Sequence, residues 1–348
     1  MRLRLAGLMM SAALLMLSSA RATETLTFLT WEDYIDPAVV HDFEQTHDAK
    51  VRFVYFEDDD ERELILAQTR GLGFDLVMLD SMLLPFYRDQ GWLRPLSVST
   101  LPNARHVVMP WDQKPLGETF DHVPYAWGTV GIVYRADRVE KIPRSWMDYF
   151  QPDESLRGKI LALNTVSTLY AMAFKALGGS MNHIDEEDVT RATNLLTLFT
   201  PYVKDWRNPE LSENSELIKG DVVMALTFNG DALQLMEHDN RLAFALPREG
   251  TGLWMDTLVV MNNSPRARLA EAFINFLNDP EVNARNTQHI FYATPNKAAE
   301  KYLPENFLRD PVIYPDATVL QRSEVFTPWP GELNRRMNQH FVELTFRQ

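Results

Sequence analysis

Strand-like and helix-like segments alternate early in this 348-residue chain, and that ordering restricts the fold more than any other feature. Residues 26–30 read as a short strand, 37–46 as a helix, 51–56 as a strand, 59–69 as a helix and 74–79 as a buried strand. Parallel strands need a crossover between them, and a helix after each strand supplies it. The pattern therefore predicts an α/β fold with a mainly parallel sheet covered on both faces. Local chemistry supports the helices. Asp36 precedes Pro37 in the order of an N-cap and first helical residue, and acids crowd the start of the second helix at 57–61.

The later chain continues in the same style. Residues 123–134 look extended, 159–163 and 221–227 read as strands, and 168–177 and 186–198 as helices, the first ending at Gly178-Gly179. A long apolar run follows at 253–261, then helices at about 266–278 and 281–289 and a turn-rich stretch at 292–296.

The first 22 residues read as a secretory signal. Arg2 and Arg4 precede an apolar run over 5–17, and Ala20-Arg21-Ala22 offers a small-x-small cleavage site. The apolar run falls short of the ~18 residues a span usually needs, so cleavage is expected rather than a retained anchor. The chain has no cysteine, which excludes disulfides, thiol catalysis and a lipid-modified cysteine. A soluble protein of a bacterial periplasm is the expectation. Loss of residues 1–22 removes three arginines and no acid, taking the net charge from −14 to −17. Such a surface repels phosphate backbones, so nucleic acid is not expected as a partner.

About 326 residues remain, more than one core usually holds, so two lobes are expected. No linker or repeat marks a boundary, which suggests that the chain crosses between lobes more than once. The expected division is 23–129 plus 256–300 for the first lobe and 130–255 plus 301–348 for the second.

Within the run at 253–261 lies Trp254-Met255-Asp256, an indole two residues before a carboxylate. Alternation along a strand points both to one side, where they suit an organic cation. Alone, the pair reads more readily as a core Trp beside a helix-capping or turn Asp. Other acids and aromatics also follow strands: Trp31-Glu32-Asp33-Tyr34 after the first, Asp80-Ser81 after the third, and Phe228 with Asp231 after the strand at 221–227. Ligands of open parallel sheets bind outside the carboxyl ends of strands, so these residues form a candidate cation site.

Catalytic signatures are scarce. There is no G-x-S-x-G, H-E-x-x-H or P-loop, no histidine pair stands at metal-ligand spacing, and Gly71-Leu72-Gly73 lacks the third glycine of a dinucleotide fingerprint. The run 57–61 lacks the glycine and ligand spacing of a calcium loop and reads as a solvated helix start. No catalytic residue, cofactor or metal is expected. A carboxylate-dependent glycosidase stands as the enzyme alternative, and the shortage of amide and Arg groups beside these acids counts against it.

Seven stretches, LTFLTWEDYIDPAVV, GFDLVMLDS, VPYAWGTVGIVY, FNGDA, LWMDTLVV, INFLNDPEV and FYATPNKAA, resemble the periplasmic spermidine/putrescine-binding proteins of ABC importers, with similarity from about residue 25 to 343. The resemblance implies a two-lobed type II binding-protein fold that closes over a linear polyamine and presents it to an inner-membrane permease. Some relatives of this kind signal to a membrane receptor instead, which is the alternative partner. By position, the family's ligand contacts fall on Trp31, Asp33, Tyr34, Asp80 beside Ser81, Phe228, Asp231, Trp254, Asp256 and Tyr292. The chain departs from the family where second-lobe acids would stand, at Thr165 and Thr168, and where Phe326 replaces a Gln. Asp80 is an acid where the family has a serine, and it could relocate one amine contact.

Overall fold

The computed structural model describes residues 23–111 and 113–346; the expected signal segment lies outside the described residues. The strands are β1 (Glu24–Thr30), β2 (Ala49–Tyr55), β3 (Leu76–Asp80), β4 (Leu96–Ser97), β5 (Thr119–Phe120), β6 (Val123–Arg135), β7 (Ile160–Ala162), β8 (Val203–Trp206), β9 (Met224–Phe228), β10 (Leu242–Ala245), β11 (Gly252–Val260) and β12 (Glu324–Val325). Ten form one sheet in the order β2-β1-β3-β11-β6-β9-β7-β8, with β10 on β6 and β12 on β11; β4 and β5 pair separately.

The early alternation folds as its order predicts. β1 pairs in parallel with β2 and β3, and helices Pro37–His47 and Asp59–Thr69 make the connections. Asp36 accepts from Ala38 N ahead of Pro37, Asp48 ends that helix in the left-handed region, and Asp58 caps the next helix through Glu61 N. At the other end of the sheet β7 pairs in parallel with β8 and β9.

The two long central strands depart from that pattern. β11 is antiparallel to both β3 and β6, and β6 is antiparallel to β9 and β10. β10 and β11, joined by residues 246–251, follow one another in the same direction along β6, β10 on its residues 132–135 and β11 on its residues 123–129. The reversal matters for the site. Asp256, in the middle of β11, lies opposite Asp80, the last residue of β3.

β6 is buried along all 13 residues and changes partner midway. Through Thr129 it pairs with β11, and from Val130 it pairs with β9 and β10. Helices Val166–Ala176, Glu186–Phe199 and Gly331–Thr345 pack together beside the far half of the sheet. Leu303, Phe307 and Ile313 share a cluster with Trp127, Ala284, Ala293 and Ala299. Among the described residues no helix is long and apolar enough to cross a membrane.

Candidate functional site

Beyond β1 the chain turns sharply at residues 31–36. Trp31 is half-buried and meets Phe56 edge-on at 4.4 Å, whereas Asp33 takes a φ of 53° and is exposed. Asp33 sits at the rim, where its charge is felt by Tyr55.

Tyr34 turns inward, and its hydroxyl donates to Asp256 Oδ2 at 2.8 Å. The tyrosine is itself held from behind. Tyr125 Oη donates to the Tyr34 carbonyl at 2.5 Å, Asn286 Nδ2 donates to Tyr125 Oη at 2.7 Å, and Asn286 Oδ1 accepts from Asp36 N at 3.0 Å. This chain of bonds ties the β1 loop to β6 and to helix Pro280–Ile290.

A second carboxylate has the same kind of support. Tyr292 Oη donates to Asp231 Oδ1 at 2.6 Å, and Thr227 Oγ1 donates to Oδ2 at 3.4 Å. Between the two acids runs a line of rings: Tyr34 to Tyr292 at 5.8 Å, Tyr292 to Trp254 at 4.8 Å, and Trp254 to Phe228 at 5.8 Å, each close to edge-on. Trp254, Asp256 and Tyr292 are 6%, 9% and 5% exposed, so both acid and aromatic members are largely withdrawn from water.

Two glycines make room for this wall. A Cβ on Gly128 would stand 2.5 Å from the Trp254 ring, and one on Gly230 would stand 2.4 Å from the Tyr292 ring. Gly230 lies at the start of helix Asn229–His238, where Ala would ordinarily be the better helix former. Here Gly230→Ala is expected instead to destabilise the protein by about 1–3 kcal/mol through overpacking, read as a lower denaturant midpoint with unchanged m-value.

Burial sets the electrostatics. It pushes the Asp231 carboxyl up to about 6, partly offset by the Tyr292 and Thr227 hydrogen bonds, and Asp80 up to about 7. Asp256 rises well above the usual carboxylate range, first through burial and then through the charge of Asp80, with the Tyr34 hydrogen bond opposing. Asp80 also does ordinary structural work. Its Oδ1 accepts from Met82 N at 2.8 Å and caps the single turn Ser81–Leu83, with Ser81 half-buried beside it.

The structure thus gathers Tyr34, Asp80, Phe228, Asp231, Trp254, Asp256 and Tyr292, while Trp31 flanks the group through Phe56 and Asp33 stays at the surface. Sequence reasoning missed Asn286, whose role is visible only once helix Pro280–Ile290 is docked, and gave Tyr125 no role of its own. On the opposite side Thr165 precedes helix Val166–Ala176 without a side-chain cap bond, Thr168 is buried, and Phe326 packs on Gly252. Trp254 Nε1 and Asn164 Oδ1 are among the buried polar atoms of the described residues without a hydrogen-bond partner.

Asp231 and Asp256, each bonded to a tyrosine hydroxyl and joined by a line of aromatic rings, offer the chemistry that suits a small cationic solute. The chain belongs to the bacterial extracellular solute-binding proteins, whose family pattern matches residues 38–313. It is 28% identical over 312 residues to the spermidine/putrescine-binding periplasmic protein of Escherichia coli K12, covering 88% of each chain. It is 30% identical over 299 residues to a norspermidine sensor of Vibrio cholerae serotype O1, covering 85% of this chain and 81% of the relative. Among solved structures it superposes on a putative spermidine/putrescine ABC transporter from Listeria monocytogenes with a TM-score of 0.84 at 28% identity, covering 94% of this chain and 100% of that one. The architecture is the type II periplasmic binding-protein fold.

Proposed function

We propose that this protein is a non-catalytic receptor of the periplasm that captures a linear polyamine of the putrescine/spermidine class and delivers it to an ABC importer. The carrying observation is the pair Asp231 and Asp256, each with a tyrosine hydroxyl on one oxygen and the rings of Tyr292, Trp254 and Phe228 between them. Ammonium groups at the two ends of a flexible chain would take the carboxylates, and methylenes would lie on the rings. The names of the relatives supply the same ligand class.

The two lobes, in this reading, meet where β6 changes partner between Thr129 and Val130, and closure swings them about that crossing. The carboxyl-terminal segment then divides, with Leu303 to Ile313 staying on the first lobe and helix Gly331–Thr345 on the second. A second reading, delivery of the closed form to a membrane signalling receptor, is favoured by Thr165 and Thr168 in place of acids and by the likeness to a sensor.

Calorimetric titration of the mature chain with putrescine, cadaverine, spermidine, norspermidine and spermine tests the ligand class. Saturable binding of at least one amine is expected, with micromolar or tighter affinity corresponding to about −8 kcal/mol. Heat with a sugar or amino acid and with none of the amines would overturn the proposal. Pull-down of the liganded form by a permease complex, rather than by a sensor ectodomain, separates the two partners.

A further inference from the structure

Asp80, Asp231 and Asp256 all stand in the candidate site, and their partners within the protein are neutral. Asp256 accepts from the Tyr34 hydroxyl, Asp231 from the hydroxyls of Tyr292 and Thr227, and Asp80 from the Met82 backbone amide. Among the described residues no salt bridge joins any of the three to a Lys, Arg or His. Arg62 is the buried cation whose charge reaches Asp80 and Asp256, but its ion pairs are with Asp59 at 2.6 Å and Glu63 at 3.3 Å. Carboxylates withdrawn from water without a cation are costly, so positive charge for these three has to come from the ligand.

The three acids are unevenly placed. Asp80 and Asp256 are direct partners in the antiparallel pairing of β3 and β11. Residues directly opposite in such a pair point to one face of the sheet, with Cβ atoms about 4.5–5.5 Å apart. Asp231 is set apart from them, bonded to Tyr292, whose ring lies 5.8 Å from that of Tyr34. Tyr34 and Met82 each take one oxygen of the close pair, which leaves Asp256 Oδ1 and Asp80 Oδ2 without a hydrogen bond among the described residues. Two like charges at this separation are met best by two cations with matching spacing. A three-carbon spacer supplies it, since bonds of about 1.5 Å hold its two ammonium nitrogens about 5 Å apart when extended.

We propose that the site selects a linear triamine with an aminopropyl end, whose terminal and middle ammonium groups meet Asp80 and Asp256 while its other end meets Asp231, and that Asp80 is the specificity-determining residue. The inference rests on the polyamine reading above and deepens it by fixing the charge count at three. A diamine leaves one of the three acids unmet. Asp33 is exposed at the rim and the opposite side carries Thr165 and Thr168, so none of these positions adds a buried acid for a fourth ammonium.

The test is the ratio of triamine to putrescine affinity, read by calorimetry, because a general loss of stability lowers both and leaves the ratio alone. The wild-type chain is expected to bind spermidine or norspermidine at least about tenfold tighter than putrescine, and spermine no tighter than the better triamine. Asp80→Asn keeps Oδ1 to accept from Met82 N and removes one charge, so it is expected to cut the triamine preference by about fivefold or more. A ratio within about twofold of wild type in Asp80→Asn would mean that Asp80 only caps the turn Ser81–Leu83, and overturns its role. A wild-type preference below about threefold overturns the triamine proposal by itself, which keeps the test decisive even where Asp80→Asn does not fold. In both of those cases binding of an amine leaves the polyamine reading standing. Absence of binding by the wild-type chain to every amine overturns that reading and this proposal with it.

Discussion

Asp256→Asn is expected to weaken amine binding by about 30-fold or more, a loss of about 2 kcal/mol or greater, while raising the thermal stability of the unliganded protein. The two effects have one cause. Asp256 is 9% exposed, its ionised form is disfavoured by burial and by Asp80, and a single hydroxyl from Tyr34 offsets part of that cost. In the bound state an ammonium group completes the compensation, so removing the charge leaves a desolvated cation without its partner. In the free state the same change removes a carboxyl whose ionisation burial and Asp80 penalise, and keeps an oxygen for Tyr34 Oη to bond. Calorimetry and thermal melting of the free protein together decide the matter. A fall in both affinity and melting temperature would mean that Asp256 acts mainly by holding the fold.

The opposing signs also separate Asp256 from Asp231. Thr227 and Tyr292 together occupy both oxygens of Asp231, and burial lifts its carboxyl less far. Asp231→Asn is therefore expected to lose affinity with little gain in stability, since less buried electrostatic cost is relieved.

Much of this arrangement is legible in the sequence, and the parts that are not share a physical reason. The strand-helix order of residues 24–80 follows from local periodicity and caps, and it folds accordingly, down to Asp36 and Pro37 at the first helix. Local patterns say nothing about which distant strands meet. The antiparallel run of β11 against β3, which sets Asp256 opposite Asp80, comes from tertiary pairing inside a mainly parallel sheet and has no local signal. Asp33 follows β1 as the sequence order places it, but the positive φ that redirects the chain there has no signature in the residues around it. The acids at 57–61 read as a solvated helix start, and Asp58 does cap that helix. Just past that stretch Arg62 is buried beside Phe56 and Glu63, contacts without a sequence signature.

Affinity for a polyamine is expected to fall by about tenfold per pH unit for each proton that must leave, giving a total loss of about 100-fold or more between pH 8 and pH 5. The free protein holds Asp231 at about 6, Asp80 at about 7 and Asp256 well above the ordinary range, all through burial. An ammonium group pairs with the ionised carboxylate, so binding expels whatever protons these groups carry. Amine ligands stay protonated across the window, because alkyl ammonium groups titrate near ~10. The stability of the free protein should move in the opposite direction. These carboxyls have folded-state values above their unfolded value of about 3.9, so between about pH 4 and pH 7 the folded chain holds more protons than the unfolded one. From these groups, stability therefore rises as pH falls through that window and is lost again as the carboxyls ionise above it. Asp239, which Arg241 holds down at about 2, withdraws its contribution only below that window, whereas His106, held below its ordinary value by burial, opposes the trend within it. Titrations at pH 8, 6.5 and 5 in buffers of different ionisation heat measure both the affinity and the protons released. An affinity constant to within about twofold across that range, with no proton release, would show that the acids are already ionised before the ligand arrives and that the burial of Asp231 and Asp256 has no part in binding.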